Sequence, residues 1–566
     1  MFHASDPRLS SDIAALRACQ AADTRAASRD RRRPPAGAFG ANENARMRAA
    51  RPAAFHAAAA RRWTLVSAVL GSGMAFMDGT VVNVALPAIQ RSLDASGADA
   101  QWIIEAYALF LSALLLVGGA LGDRIGRKRV FLVGAAVFTL ASAACAAAHG
   151  VGQLVAARAV QGIGAALLVP GSLALLGANF PQAERGRAIG TWSAFSGITA
   201  AVGPVVGGFL VDHFSWRWAF LLNVPFGVLL LAACIARVPE SRGDVAQGPV
   251  DVAGAAAATI ALAGIVFALI EAPTRGWGAM PVAAAGAAGL AGLAAFVARE
   301  ARARAPMLPL HLFRDRDFGG ANLLTLLLYA ALGGGLYFVP LDLIQVQGYG
   351  ATAAGAALLP FVAIMFALSR RAGALVDAVG AKRPLIAGPA IAAVGFALFA
   401  WPGAGGSYWT TFFPAVCVLG LGMTITIAPL TTTVMNALGQ GLAGVASGVN
   451  NAVSRAAGLL AIAALGAVLA QVFEPRLQDA LAQSHLPPGV SDAVFAQRHK
   501  LAAIVPPAGA TPAVAAQVRA VVGAAFVAGF RAVMLVAAGL AAASALCAWW
   551  LISDRPPAPD SKGRTP

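Results

Sequence analysis

Fourteen apolar runs of membrane-spanning length follow one another along this chain, the first at 64–90 and the last at 526–552, with short breaks between most of them. A helix crosses the hydrocarbon core of a bilayer in about 20 residues, so each run is long enough to span it. The chain therefore reads as an all-α integral membrane protein. Composition agrees: 58% of the 566 residues are hydrophobic and 12% are charged, against roughly 25% charged in an ordinary soluble domain.

A net charge of +16 would suggest a nucleic-acid partner in a soluble chain, but here the cations crowd alternate breaks between apolar runs. They are Arg124, Arg127, Lys128 and Arg129, then Arg185 and Arg187, Arg237 and Arg242, Arg299 and Arg302, and Lys382 and Arg383. The positive-inside rule places these breaks, and with them both termini, in the cytoplasm. The expected partner is thus the lipid bilayer, with no nucleic acid. Neither the five cysteines nor the seven histidines fall in a metal-ligand or disulfide spacing, so no metal and no cofactor is expected. None of Lys128, Lys382, Lys500 or Lys562 follows a glycine, which excludes a phosphate-cradling loop. No nucleophile and base constellation marks an enzyme.

The first apolar run carries an acid, Asp78, near its middle. Insertion scales put a carboxylate there at roughly +3 kcal/mol, so it belongs against protein or a water-filled cavity, where it can carry a proton. Glu105 in the second run and Arg158 in the fourth sit at similar depth below the external rim, within reach of pairing directly or through water. Arg455, in the thirteenth run after Asn450 and Asn451, is a second intramembrane cation. These positions, with Asn83, Gln161 and Asn451, are the candidates for coupling and for a central cavity. Asp342 and Gln345 close the ninth run externally, where a surface role is expected for Asp342.

One segment repeats. Gly119-Ala-Leu-Gly-Asp123-Arg124-Ile-Gly126-Arg127-Lys128-Arg129 returns as Gly373-Ala-Leu-Val-Asp377-Ala-Val-Gly-Ala-Lys-Arg383, offset by 254 residues (373 − 119). The copies follow the second and the tenth runs, so two runs are inserted between two halves of six. In the first copy Asp123 is placed to accept from a neighbouring helix N-terminus while the basic residues lie at the headgroups, a cytoplasmic latch. Gly203, Pro204, Gly207 and Gly208 in the fifth run spell a kinked, closely packed seam.

With these residues in view, the chain resembles the major facilitator superfamily, and within it the fourteen-helix drug:proton antiporters of the multidrug efflux type. Asp78 to Pro87 is similar to that subfamily's first-helix motif, the 119–129 loop to the superfamily's loop signature, and Arg158 to Ala166 to the proton-linked motif of the fourth helix. Gly203 to Gly208 resembles the antiporter motif, with Thr199 where a glycine usually stands, and Trp216-Arg217-Trp218 with Asn223-Val224-Pro225 also resembles the subfamily. Ala378 and Ala381 replace basic residues in the second loop. The resemblance implies that Asp78 and Glu105 are proton or cation sites, with Arg158 as relay partner.

The expected organisation is a disordered tail at 1–62, a six-helix bundle at 63–240, two inserted helices at 241–305, and a second bundle at 306–555. That bundle carries an external loop at 472–521 with short amphipathic or re-entrant helices, and a further tail covers 556–566. Met47 offers an alternative translation start. The expected function is proton-coupled export of small lipophilic or cationic drug-like molecules across the cytoplasmic membrane by alternating access. The chain is expected to act as a monomer, with or without a periplasmic adaptor. A dedicated metabolite exporter, a proton-coupled importer and a non-transporting receptor are the alternatives.

Overall fold

The computed structural model of the chain describes residues 38–242, 251–303, 306, 308–438 and 443–554, with side chains from residue 59 onward apart from 182–183, 370, 373–378 and 443–444. Two units divide it, Met1–Ala59 and Ala60–Pro566. In the first, the described residues are helical from Ala38, where polar composition predicts disorder. Alanine and arginine dominate that stretch, and both are strong helix formers.

Among the described residues of the second unit, fourteen helices are long and apolar enough to cross a membrane. They are α1 (Ala59–Leu93), α2 (Gly97–Ile125), α3 (Arg127–Ala147), α4 (Val151–Asn179), α5 (Glu184–His213), α6 (Trp218–Arg237), α7 (Val252–Arg275), α8 (Met280–Arg302), α9 (Arg316–Gln345), α10 (Ala351–Ser369), α11 (Lys382–Phe399), α12 (Phe412–Ala437), α13 (Val445–Gln483) and α14 (Pro512–Leu551). Their ends are set locally. Ser96 and Asp99 form a reciprocal capping box that starts α2, and Gly126, at a φ of 132°, separates α2 from α3. Asp251 and Asp315 cap α7 and α9 by accepting from the backbone of Gly254 and Phe318, each at 2.8 Å.

The packing repeats as the sequence does. Helix α4 packs on α2 and α3, and α6 on α3; eight helices later α12 packs on α10 and α11, and α14 on α11. The intervening α7 and α8 pair with each other, and α7 also lies against α2 and α13. Two similar bundles with an inserted helix pair account for this pattern.

The rim that holds the arginine-rich breaks is called here the basic rim, and its opposite the far rim. Contacts between the bundles gather toward the far rim. Gln345 donates to Gln90 at 2.8 Å, and the Gln101 amide lies against Gly466 where no larger residue would fit. Asp212, at the end of α5, accepts from the backbone of Ala351 and Thr352 at 2.9 and 2.8 Å, capping the start of α10.

The stretch at 472–521, expected as a loop with short amphipathic or re-entrant helices, contains such short helices, but spanning helices run into it from both ends. Helix α13 runs on to Gln483 because Phe473, Leu477 and Leu481 continue a buried stripe at four-residue spacing, and α14 begins at Pro512. Between them lie a short helix, Pro488–Ala496, and a 3₁₀ turn, Arg498–Ala503. That turn docks on the N-bundle: Lys500 pairs with Asp94 at 2.5 Å and Leu501 packs on Gly97.

Candidate functional site

Helices α1, α2, α3, α4 and α6 converge on a polar network inside the first bundle. Arg158 of α4 donates through one terminal nitrogen to Oδ2 of Asp78 at 2.5 Å and to Oε1 of Gln161 at 2.7 Å, and through Nε to the Ile103 carbonyl at 2.9 Å. Oδ1 of Asp78 accepts from the amides of Gln161 at 2.8 Å and Asn223 at 2.9 Å. Gln161 reaches further, donating to Oγ of Ser142 at 2.8 Å. Both members of the ion pair are shielded from solvent. Three donors on one carboxylate, one of them a guanidinium, is what a charge removed from water requires. The Arg158 guanidinium also stacks on Tyr107, 4.3 Å from the ring centre.

The expected pairing of Arg158 with Glu105 is not made. Arg158 takes Asp78 instead, because a residue at this point of α4 faces α1 and the Ile103 turn of α2. Glu105 is fully buried, and among the described residues neither of its oxygens has a hydrogen-bond partner. Gln161 belongs to the buried network rather than to a cavity wall. Asn83 does not line the cavity described below, and its Oδ1 is buried without a partner among the described residues.

A cavity of about 230 Å³ lies between the bundles, bounded by Phe76, Thr80, Tyr107, Leu111, Val169 and Arg455, among others. Arg455 comes from α13 and the other five from α1, α2 and α4. Tyr107 thus belongs both to the cavity wall and to the ion-pair network. Asn451 is exposed and bonded to the Ser447 carbonyl of its own helix at 3.1 Å. Its neighbour Asn450 is the one that crosses to α9, donating to Asn322 at 3.2 Å and Thr325 at 2.7 Å. Asp342 is buried rather than at the surface: one oxygen accepts from Gln347 at 3.1 Å, and the other has no partner among the described residues.

The α5 glycines lie where backbones meet. A Cβ on Gly203 would stand 2.3 Å from the Thr80 hydroxyl, and one on Gly207 would stand 2.7 Å from Val81, both on α1. A Cβ on Gly208 would stand 2.4 Å from the Ala351 carbonyl of α10. Pro204 interrupts α5 at this level, and its carbonyl abuts Gly355 of α10. The seam thus joins α5 to α1 on one side and to the other bundle on the other.

At the basic rim Asp123 pairs with the Arg127 side chain, four residues on, at 2.7 Å, and among the described residues it accepts from no helix N-terminus. The neighbouring carboxylate is Glu240, just beyond α6: it accepts from the Lys128 backbone at 2.9 Å and lies 3.7 Å from the Arg129 guanidinium. A Cβ on Gly126 would meet that carboxylate at 2.9 Å. Lys128 donates to the Ile235 carbonyl at 3.0 Å, Arg124 is exposed, and Gly119 rests near Pro170. The side chain of Asp377 lies outside the described residues.

Asn223, Ser142, Glu240 and Asn450 were not among the residues singled out for a site. Asn223 and Ser142 carried a signal of the same kind as Asp78, a polar side chain inside an apolar run. Glu240 carried none, since an acid near a helix end is ordinary.

The sequence profile of the Major Facilitator Superfamily matches residues 68–462. Multidrug resistance protein Stp of Mycobacterium tuberculosis is 35% identical over 78% of this chain and 81% of its own. The tetracenomycin C resistance and export protein of Streptomyces glaucescens is 34% identical over 80% of this chain and 84% of its own. A methylenomycin A resistance protein of Streptomyces coelicolor is 37% identical over 70% and 84%. Among solved structures, a bacterial homologue of the human lysosomal transporter Spinster superposes with a TM-score of 0.61 at 15% identity, covering 88% of this chain and 98% of that one. The fold, the fourteen spanning helices and these relatives agree: the chain is a multi-pass membrane transporter and belongs to the Major Facilitator Superfamily.

Proposed function

We propose that this protein exports small drug-like molecules from the cytoplasm in exchange for protons, by alternating access. The observation that carries the reading is the buried Asp78–Arg158 pair, which shares Tyr107 with the cavity between the bundles. Protonation of Asp78 removes the charge that holds Arg158, so proton binding and the arrangement of α1, α2 and α4 are linked. Glu105, buried and without a donor among the described residues, is the second proton site. Relatives named for tetracenomycin C resistance and export and for methylenomycin A resistance support the cargo class.

The basic rim is cytoplasmic on this reading, following the positive-inside rule, with both termini on that side. Closure at the far rim by α5 with α10 and by α2 with α13 then corresponds to an inward-facing state. The 119–129 loop, with Asp123 turned to Arg127, is a latch that engages in the opposite state. The two six-helix halves, 63–240 and 306–555, rock about the inserted pair, and one chain suffices for the cycle.

Inside-out vesicles containing the protein test this. Adding an antibiotic cargo with an acid lumen should give gradient-dependent accumulation, lost in Asp78→Asn. Equal accumulation with and without the gradient would overturn proton exchange.

A further inference from the structure

The cavity between the bundles is charged on one side only. Its N-bundle wall is apolar, made by Phe76, Leu111 and Val169, and the hydroxyls present there are already committed. Thr80 donates to the Met77 carbonyl at 3.0 Å and Tyr107 to the Ala75 carbonyl at 3.2 Å. Arg455, facing them from α13, makes no ion pair or hydrogen bond among the described residues, and no described carboxylate lines the cavity. Asp78, the acid next to Gly79 of the cavity wall, is itself taken by Arg158, Gln161 and Asn223.

A guanidinium held in a membrane protein without a counterion is costly, and it offers five N–H donors in a fork that matches a carboxylate. A ligand that fits this space has an apolar, flat body for the wall and an acidic group for Arg455. A cationic ligand would meet an unpaired positive charge. Gly79, where a Cβ would meet nothing within 4 Å, leaves room beside the ring of Tyr107 for that body.

From this we infer that the cargo is an amphipathic anion, an aromatic or otherwise apolar molecule bearing a carboxylate or comparably acidic group, and that Arg455 is the residue that selects it. The inference rests on the export reading for its physiological meaning, but the binding preference stands separately. Because Arg455 belongs to one bundle and the apolar wall to the other, an anion docked on both draws α13 toward α1 and α2. Cargo binding and the rocking of the halves are then the same event.

The test uses three probes with one aromatic body: 2-naphthoate, its methyl ester and 2-naphthylmethylammonium. Their binding to the purified full-length protein in detergent is measured by titration, for the native chain, Arg455→Gln and Arg455→Lys. The expected result is naphthoate bound at least tenfold more tightly than either analogue, with the preference erased in Arg455→Gln and partly kept in Arg455→Lys. Binding is read with no gradient present, so its outcome is separate from that of gradient-driven transport, on which the export reading is judged. Equal or absent binding of the three probes, a preference for the ammonium, or an anion preference unchanged in Arg455→Gln would overturn the inference. Thermal unfolding of each variant shows that loss of preference is not loss of fold.

Discussion

Arg158 donates to Asp78 across 2.5 Å from a neighbouring helix, and neither side chain is reached by solvent. Removing one partner of such a pair leaves an uncompensated buried charge, at a cost of about 3–5 kcal/mol. Arg158→Ala should therefore lower the thermal unfolding midpoint sharply, while Asp78→Asn combined with Arg158→Gln recovers much of the stability without recovering export. Scanning calorimetry in detergent together with vesicle transport separates the two effects. A double variant that exports normally would show that the pair is structural only.

Asn223 completes the shell of Asp78 with a 2.9 Å hydrogen bond from α6. Asn223→Ala leaves one acceptor site of a buried carboxylate undersatisfied, which costs about 1–3 kcal/mol. We expect export to fall several-fold and its pH profile to move, whereas Asn83→Ala, outside the network, should leave the profile in place. Transport measured across a pH series checks both.

Spacing and hydropathy carried the helix count, the inserted pair and the repeat, because spanning length is a local property of sequence. Partner choice inside the bundle was not local. Glu105 and Asp78 are both acids at suitable depth for Arg158, and which of them it meets depends on how α4 is rotated against α1 and α2, an angle fixed by contacts such as Gly162 against Tyr107 and Gly164 against Phe138. The same holds for Asn450 and Asn451, adjacent in sequence but about 100° apart on the helix, only one of which crosses to α9. The extension of α13 beyond 472 was legible in hindsight from Phe473, Leu477 and Leu481, yet the prolines after it suggested a loop.

At the seam, space decides. Gly208→Ala would drive a Cβ to 2.4 Å from the Ala351 carbonyl, while Gly190→Ala meets nothing within 4 Å. Overpacking of this kind costs about 1–3 kcal/mol, borne here by closure of α5 on α10. Export should drop at least tenfold in Gly208→Ala at unchanged membrane levels and be unaffected in Gly190→Ala. Similar activity in the two would show that close approach at the far rim is dispensable.

The inserted pair is tied at the basic rim by Asp251, which caps α7 and accepts from Arg299 of α8 at 2.6 Å. The Gly254 backbone donor, with Arg299 beside it, holds the Asp251 carboxyl below the usual carboxylate range. A depressed acid contributes stability that is fully present above its unfolded value of about 3.9 and is lost as pH falls through the lower folded value. The stability gap between the native chain and Asp251→Asn should therefore be widest above about pH 4 and close below it. Export at neutral pH should persist in this variant, since Asn also caps helices well.

The 3₁₀ turn at Arg498–Ala503 bridges to the N-bundle through Lys500 and Asp94, a pair 2.5 Å apart. A short cleavable thiol-reactive cross-linker joining Asp94→Cys to Lys500→Cys, spanning the gap that the lysine side chain fills, should arrest transport and release it on cleavage. Unimpeded transport by the cross-linked protein would mean that this turn does not part from α2 during the cycle.

The most direct test of proton exchange is cargo movement in proteoliposomes as the pH gradient is imposed and then collapsed by a protonophore, for the native chain beside Asp78→Asn. The account predicts accumulation that rises with the gradient and vanishes on its collapse in the native protein, and none above background in the variant. Undiminished accumulation after collapse, or a variant indistinguishable from the native chain, would contradict it.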